Sequence, residues 1–180
     1  IFRGAGANVS LNGSTMTGAL SLGGGGGALS FTNGSIYNGD ITAAGGAISM
    51  LVNNSTMNNS GDGTLNLTSM SVANAGKIGF VIDNARVTGG QPIFNVTGAA
   101  TIAADTTFTP IFQEFTNRNF TLRVLNAGTL NLGGPVAPML NAQSPYLFEV
   151  GLTQPAGTNA LDLSFRVKGV NELGFNTRQA

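Results

Sequence analysis

The chain carries one motif three times, as Asn12-Gly-Ser-Thr-Met16, Asn33-Gly-Ser-Ile-Tyr37 and Asn53-Asn-Ser-Thr-Met57. The starting positions show that the interval between copies is nearly constant. A fixed period of about 20 residues is typical of chains that stack copies of one small unit. In such a chain we expect function on the faces and ends of the stack rather than in a central cleft.

Apolar residues occur in pairs around this motif, with one small residue between the two members. This period of two predicts short strands that bury one face. Clusters of Gly and Asn separate the pairs, and both residues form turns because they tolerate positive φ. The pairs are Val9 and Leu11, Leu20 and Leu22, Leu29 and Phe31, and Ile48 and Met50.

The repeated strands predict an all-β fold, and more specifically a parallel β-helix, also called a β-solenoid. The spacing changes further along, where Val72, Val87 and Ile102 are evenly separated by a shorter interval. A tapering stack and a missed hairpin would each produce this change, and the sequence leaves both open.

The composition restricts the classes of partner. Charged residues make up 9% of the chain and the net charge is zero, whereas a typical domain is roughly one quarter charged. We expect no nucleic-acid partner, because phosphate binding needs clustered Lys and Arg. We also expect no stable membrane insertion, because no apolar run approaches the ~20 residues of a membrane helix. Regularly spaced β-branched residues argue against disorder.

Four Asp residues form a second periodic row, because Asp40, Asp62, Asp83 and Asp105 recur at an interval close to that of the motif. The favoured interpretation is a turn residue repeated once per unit. The alternative is a ladder of carboxylates that binds cations or an acidic substrate. Calcium-binding repeats place Gly-Gly-x-Gly-x-Asp in series, and no such series occurs here.

The Asn residues of the motif have two similar interpretations. Asn12, Asn33 and Asn53 could form an amide ladder that joins successive units by hydrogen bonds, or they could be separate turn residues. We favour turns with partial laddering and no ligand role. Tyr37 aligns with Met16 and Met57 of the other copies, so we expect it to pack in the core.

The residue types that most enzymes need are missing. The chain has no His and no Cys, so it lacks the usual general base, the commonest metal ligand and a thiol nucleophile. Asp40 and Asp62 are the only carboxylates before Lys77. We therefore expect no enzyme activity, no cofactor, and no catalytic, cofactor-binding or metal site.

The last third of the chain has a different pattern. Its alternating segments are joined by turn signals at residues 126–128, 133–135 and 155–157, which predicts antiparallel strands. We expect the aromatic residues of this region to form a cap: Phe112, Phe115, Phe120, Tyr146, Phe148 and Phe165.

Four stretches of this region resemble the C-terminal end of the passenger domain in type V autotransporters of Gram-negative bacteria. They are Arg123-Val-Leu-Asn-Ala-Gly-Thr-Leu-Asn-Leu132, Ser144-Pro-Tyr-Leu-Phe-Glu-Val150, Ala160-Leu-Asp-Leu-Ser-Phe-Arg-Val-Lys168 and Glu172-Leu-Gly-Phe-Asn-Thr-Arg-Gln-Ala180. The resemblance covers about residues 105–180 and depends on the order and spacing of the stretches.

The resemblance implies a right-handed parallel β-helix whose C-terminal cap folds first and templates the rest. Residues 1–104 are then expected to be the coils, residues 105–171 the cap, which resembles an autochaperone region, and residues 172–180 the start of a linker toward a missing barrel. The resemblance also implies a secreted chain, or one displayed on the outer membrane exterior of a Gram-negative bacterium.

The expected function is that of a non-enzymatic extracellular structural β-solenoid that serves surface display, adhesion, or matrix and filament assembly. Residues 1–8 offer no polar capping element, so self-association through the ends of the stack is expected, together with contacts to other surface or matrix components. The alternative is a solenoid module that binds or cleaves a polysaccharide.

Overall fold

The computed structural model describes residues 6–43, 45, 47–113, 118–142 and 147–174. These residues form mainly strands, which confirms the prediction of an all-β fold. No helix among them has the length and apolar character needed to cross a membrane.

The described residues contain sixteen strands, one short α-helix and two turns of 3-10 helix at Ala137–Met139 and Val170–Leu173. The strands are β1 (Ala7–Asn12), β2 (Thr15–Thr17), β3 (Leu20–Leu22), β4 (Gly27–Thr32), β5 (Ile36–Gly39), β6 (Ile41–Ala43), β7 (Ile48–Asn53), β8 (Thr56–Asn59), β9 (Leu65–Leu67), β10 (Ser69–Ala73), β11 (Lys77–Ile82), β12 (Phe94–Ile102), β13 (Thr107–Phe112), β14 (Phe120–Leu132), β15 (Phe148–Thr153) and β16 (Ala160–Val167). The helix is α1 (Asn84–Gly89).

The strands form three sheets. Sheet A has the order β1-β4-β7-β10-β12-β14-β16-β15, and β9 also pairs with β12. Sheet B has the order β13-β11-β8-β5-β2, and sheet C pairs β3 with β6. Every pair up to β12–β14 is parallel, and each early strand pairs with the equivalent strand of the next repeat: Ala7 lies opposite Gly27, and Thr15 opposite Ile36.

The register places equivalent side chains of successive repeats in rows. Met16, Tyr37, Met57, Ile78 and Phe108 follow one another across sheet B. All but Met16 are fully buried, which confirms that Tyr37 packs in the core. A continuous core of this kind lets each short repeat bury apolar surface that it could not bury alone.

The change in spacing has a simple cause. Val72 lies opposite Ile102 on the neighbouring strand, so the true repeat there is longer than the early ones rather than shorter. Val87, at the midpoint, belongs to helix α1, which is inserted into the repeat. The structure therefore matches neither alternative that the sequence left open, a tapering stack or a missed hairpin.

The C-terminal strands form one end of sheet A. Strand β14 is parallel to β12 on one side and antiparallel to β16 on the other, and β15 is antiparallel to β16. Strands β15 and β16 are antiparallel as predicted, but the turn predicted at residues 126–128 is wrong, because β14 runs through these residues as one strand. Parallel pairing continues past residue 105, however, because β13 is parallel to β11.

Aromatic residues pack together at this end. The buried ring of Phe165 lies 4.9 Å from Phe120, 4.8 Å from Phe148 and 5.4 Å from Phe112, measured between ring centroids. This is the predicted cluster, except that Phe115 and Tyr146 lie outside the described residues, as does most of the proposed linker, residues 175–180. The parallel β-helix stays a prediction, because sheet A contains both parallel and antiparallel pairs.

Candidate functional site

The four Asp residues of the periodic row do not share one position. Asp105 lies at a different corner, where its carboxylate accepts a hydrogen bond from the backbone N–H of Ala75 at 2.8 Å. Asp83 caps α1 by accepting from the N–H of Arg86 at 2.8 Å. Both are local turn or cap roles, as the favoured interpretation expects. Among the described residues, no group of three carboxylates is placed to hold a metal ion.

The negative charges of three of these Asp residues affect one buried cation, the Arg86 guanidinium, which the sequence did not indicate. The Arg86 side chain is 5% exposed and donates to the carbonyl oxygens of Gly61 and Gly63, the latter at 3.1 Å. Burial lowers the pKa of Arg86, while the negative charges of Asp83, Asp62 and Asp40 oppose this shift. Arg86 therefore fastens the inserted helix to the preceding repeat.

Of the three motif Asn residues, only Asn33 lies in a turn, because Asn12 and Asn53 are the last residues of β1 and β7. The interpretation as turn residues is therefore right for one of the three, whereas amide pairs between units are present. Asn33 has φ 57° and donates from Nδ2 to Oδ1 of Asn12 at 2.7 Å. Asn53 accepts in the same way from Asn74 at 2.8 Å. A further pair, Asn58 to Asn38, crosses the outer face of sheet B at 2.7 Å.

The Ser residues of the same motif also have a structural role, which the sequence interpretation did not include. The backbone N–H of Ser35 donates to Oγ of Ser55 at 3.1 Å, and the N–H of Ser14 donates to Oγ of Ser35 at 3.4 Å. Ser35 and Ser55 are buried. Their constant place in the Asn-x-Ser repeat was the available signal, because a turn that stacks inward needs a small side chain with a hydroxyl group.

Tyr37 is not available to a ligand. Its ring is fully buried and stacks on Phe31 with centroids 5.5 Å apart. Its hydroxyl lies 2.9 Å from the carbonyl oxygens of both Gly18 and Asp40. Burial, and secondarily the charge of Asp40, raise the pKa of Tyr37 to about 12.

A polar concavity lies on the outer face of sheet A, where β9, β12, β14 and β16 run side by side. Its volume is about 610 Å³. We call it the amide groove. It is lined by Asn66, Asn95, Asn126, Arg123 and Asp162, with Thr64, Thr121 and residues 90–92 at its borders.

An amide ladder forms the floor of the groove. Asn95 lies opposite Asn66 on one side and Asn126 on the other. Asn126 donates from Nδ2 to Oδ1 of Asn95 at 3.1 Å, and Asn95 donates to Oδ1 of Asn66 at 3.0 Å. Each amide still has a second N–H and a second oxygen lone pair for other partners.

An ion pair forms the wall of the groove. Arg123 donates from Nε and Nη2 to the two oxygens of Asp162, at 2.9 Å and 3.3 Å. This two-point bond raises the pKa of Arg123, against a smaller opposing effect of burial. The Arg123 side chain remains 38% exposed, so guanidinium N–H groups still face the groove.

The inserted segment supplies further lining residues next to Arg123, because the backbone N–H of Ile93 donates to the carbonyl oxygen of Arg123 at 3.0 Å. Residues 90–92 follow α1 directly, and the hydroxyl of Thr64 donates to the carbonyl oxygen of Pro92 at 2.7 Å. Gln91 is exposed at the rim. The sequence gives no local sign of this site, because its Asn residues follow the longer repeat and its ion pair joins residues that are 39 positions apart.

Comparisons with known proteins give no further guide to this site: no protein-family model matches the chain, and no curated protein or solved structure does so either.

Proposed function

We propose that this chain is a non-enzymatic structural module, the C-terminal end of an extracellular β-solenoid. The observation that carries the proposal is the difference between the two ends of the stack. At the N-terminal end all three sheets consist of parallel pairs, whereas sheet A ends at its C-terminal side in the antiparallel strands β16 and β15. This is the order that the resemblance to an autotransporter passenger domain implies.

The N-terminal end can be continued by further strands. Among residues 6–43, β1, β2 and β3 each have a neighbouring strand on one side only. An edge with unpaired backbone groups accepts another strand readily. The module therefore extends a stack at this end, through a further repeat or through self-association with a second copy, and it also presents this end to other surface or matrix components.

The C-terminal end is built to stop the stack. Strand β16 runs antiparallel to β14, and the backbone N–H of Asn141 donates to the carbonyl oxygen of Phe108 at 2.8 Å on the outer edge of β13. Parallel and antiparallel pairs differ in their hydrogen-bond pattern, so the antiparallel strands β16 and β15 interrupt the parallel pairing of sheet A. The aromatic cluster around Phe165 fills this end with apolar side chains.

Long backbone ladders and stacked side chains supply stability without disulfides, which the chain cannot form because it has no Cys. We propose that such a module is secreted or displayed on the outer membrane exterior of a Gram-negative bacterium, where it supports adhesion or a surface matrix.

Polysaccharide cleavage is the less favoured function, because hydrolysis of a glycosidic bond normally uses two carboxylates and Asp162 is the one carboxylate among the described residues that line the amide groove.

Electron microscopy over a concentration series, with and without EDTA, tests the assembly part of this proposal. We expect elongated particles that associate through one end as concentration rises, with no effect of EDTA. Compact round particles, or association that EDTA abolishes, would contradict the structural role.

Display on cells tests the location. The chain would be joined to an outer-membrane anchor in a Gram-negative bacterium, and intact cells would be treated with protease. We expect a protease-resistant fragment on the cell surface, and its loss in Leu161→Asp, which puts a charge at a fully buried position of β16. Complete digestion of the unaltered chain on intact cells would refute the proposal.

A further inference from the structure

We propose that the amide groove binds a neutral, hydroxyl-rich carbohydrate chain. This proposal is independent of the structural role, since it concerns a surface that neither end of the stack uses. It commits to binding without cleavage.

The polar groups of the groove match neighbouring hydroxyl groups. The three Asn amides are fixed in a row by their own hydrogen bonds, so their remaining donors and acceptors are held in place before a ligand arrives. They recur at about the 4.8 Å spacing of adjacent strands. A sugar hydroxyl both donates and accepts, as a side-chain amide does, so a row of amides can bind successive hydroxyl groups of one chain.

The charge of the groove indicates a neutral ligand. Arg123 and Asp162 are the two charged residues in its described lining, and they neutralise each other through a two-point ion pair. An anionic polymer would meet the carboxylate of Asp162 as well as the guanidinium. Binding it through Arg123 would require breaking a bond that the structure already makes.

The backbone of the groove argues against a peptide strand. The central floor strands β12 and β14 each have neighbouring strands on both sides, so their backbone groups are already paired. A peptide that binds by strand addition needs a free edge. The described lining residues include no aromatic ring on which a sugar could stack. Affinity for one sugar unit is therefore low and rises with chain length.

Frontal affinity chromatography on immobilised polysaccharides tests the proposal. Dextran and galactomannan serve as neutral probes, and alginate serves as the anionic one. We expect retention on at least one neutral polysaccharide, release by the same polysaccharide in solution, and no retention on alginate at moderate salt. Failure to bind both neutral probes, or stronger binding to alginate, would overturn the proposal.

Variants connect the retention to the groove. Asn95→Ala removes the centre of the ladder, and we expect about tenfold weaker binding from the loss of its contacts. Asn12→Ala is the matched control, because it removes an amide pair on the same sheet outside the groove. Equal weakening by both substitutions would contradict the assigned site.

A second variant covers the case in which Asn95→Ala impairs folding. Gln91→Ala combined with Thr121→Ala alters two exposed lining residues that take no part in the ladder. We expect weaker retention with an unchanged thermal unfolding curve. Unchanged retention in this variant would also count against the groove as the binding site. The electron microscopy that tests the structural role does not depend on either substitution.

Discussion

Replacing Arg86 tests whether a single buried cation holds the inserted helix to the stack. Arg86→Met keeps a long apolar stem but removes the guanidinium that bonds to Gly61 and Gly63. Helix α1 has six residues and is too short to be stable alone. Its position therefore depends on contacts such as these.

The hydrogen bonds of Arg86 determine how much unfolding free energy the substitution removes. Two hydrogen bonds from a charged donor contribute about 1.5–3 kcal/mol each, or about 3–6 kcal/mol together. Arg86 Nε is buried without a partner among the described residues, and an unsatisfied group of this kind costs about 1–3 kcal/mol. The balance, taken between the middles of the two ranges, is a loss of about 2.5 kcal/mol of unfolding free energy in Arg86→Met.

Urea unfolding followed by circular dichroism measures this loss. With a slope of about 2 kcal/mol per molar, the midpoint should fall by about 1–2 M. Arg118→Met is the control, because Arg118 is exposed and has no partner among the described residues. If Arg86→Met were as stable as the control, or more stable than the parent, desolvation of the guanidinium would outweigh its bonds and the reasoning would be refuted.

Three further predictions concern the core and two titrating groups. Phe31→Ala should cost about 3–5 kcal/mol because Phe31 is fully buried, whereas Asn12→Ala should cost about 1 kcal/mol or less; similar denaturation midpoints would contradict the assigned inward and outward faces. Since the folded pKa of Tyr37 is raised to about 12, stability should fall by about 2–3 kcal/mol as the pH rises from about 10 to about 12, and Tyr37→Phe should abolish this slope in unfolding measured against pH. The pKa of Glu172 is lowered to about 2, chiefly by the hydrogen bond from Arg166. The small contribution of this bond to stability is therefore present above the ordinary pKa of a glutamate and is lost as the pH falls toward 2. An acid unfolding curve that Glu172→Gln leaves unchanged would contradict this prediction.

The early repeats could be predicted from the sequence because their signal is local. Leu29 and Phe31 alternate within one strand, and Asn33 recurs from Asn12 at the same interval that separates Thr15 from its partner Ile36 in sheet B. A short period is visible when each unit has the same parts. The parallel direction of pairing also follows from the sequence, because stacked copies of one unit place equivalent strands side by side in the same direction.

The later features could not be predicted in the same way because they depend on distant partners. Helix α1 lengthens one repeat, so Val87 falls midway between Val72 and Ile102 and imitates a shorter period. The ion pair of Arg123 and Asp162 depends on antiparallel pairing across 39 residues. Nothing near either residue in the sequence indicates that partner.

The interruption of the period and the position of the amide groove have one cause. Helix α1 lengthens this repeat, and residues 90–92 follow it directly. These residues are part of the lining of the concavity of about 610 Å³ that contains the amide row. Arg86 is what fastens the start of this segment to the preceding repeat. Arg86→Met should therefore weaken carbohydrate retention although Arg86 is not in the groove lining, and a Met variant that bound as tightly as the parent would separate the helix from the site.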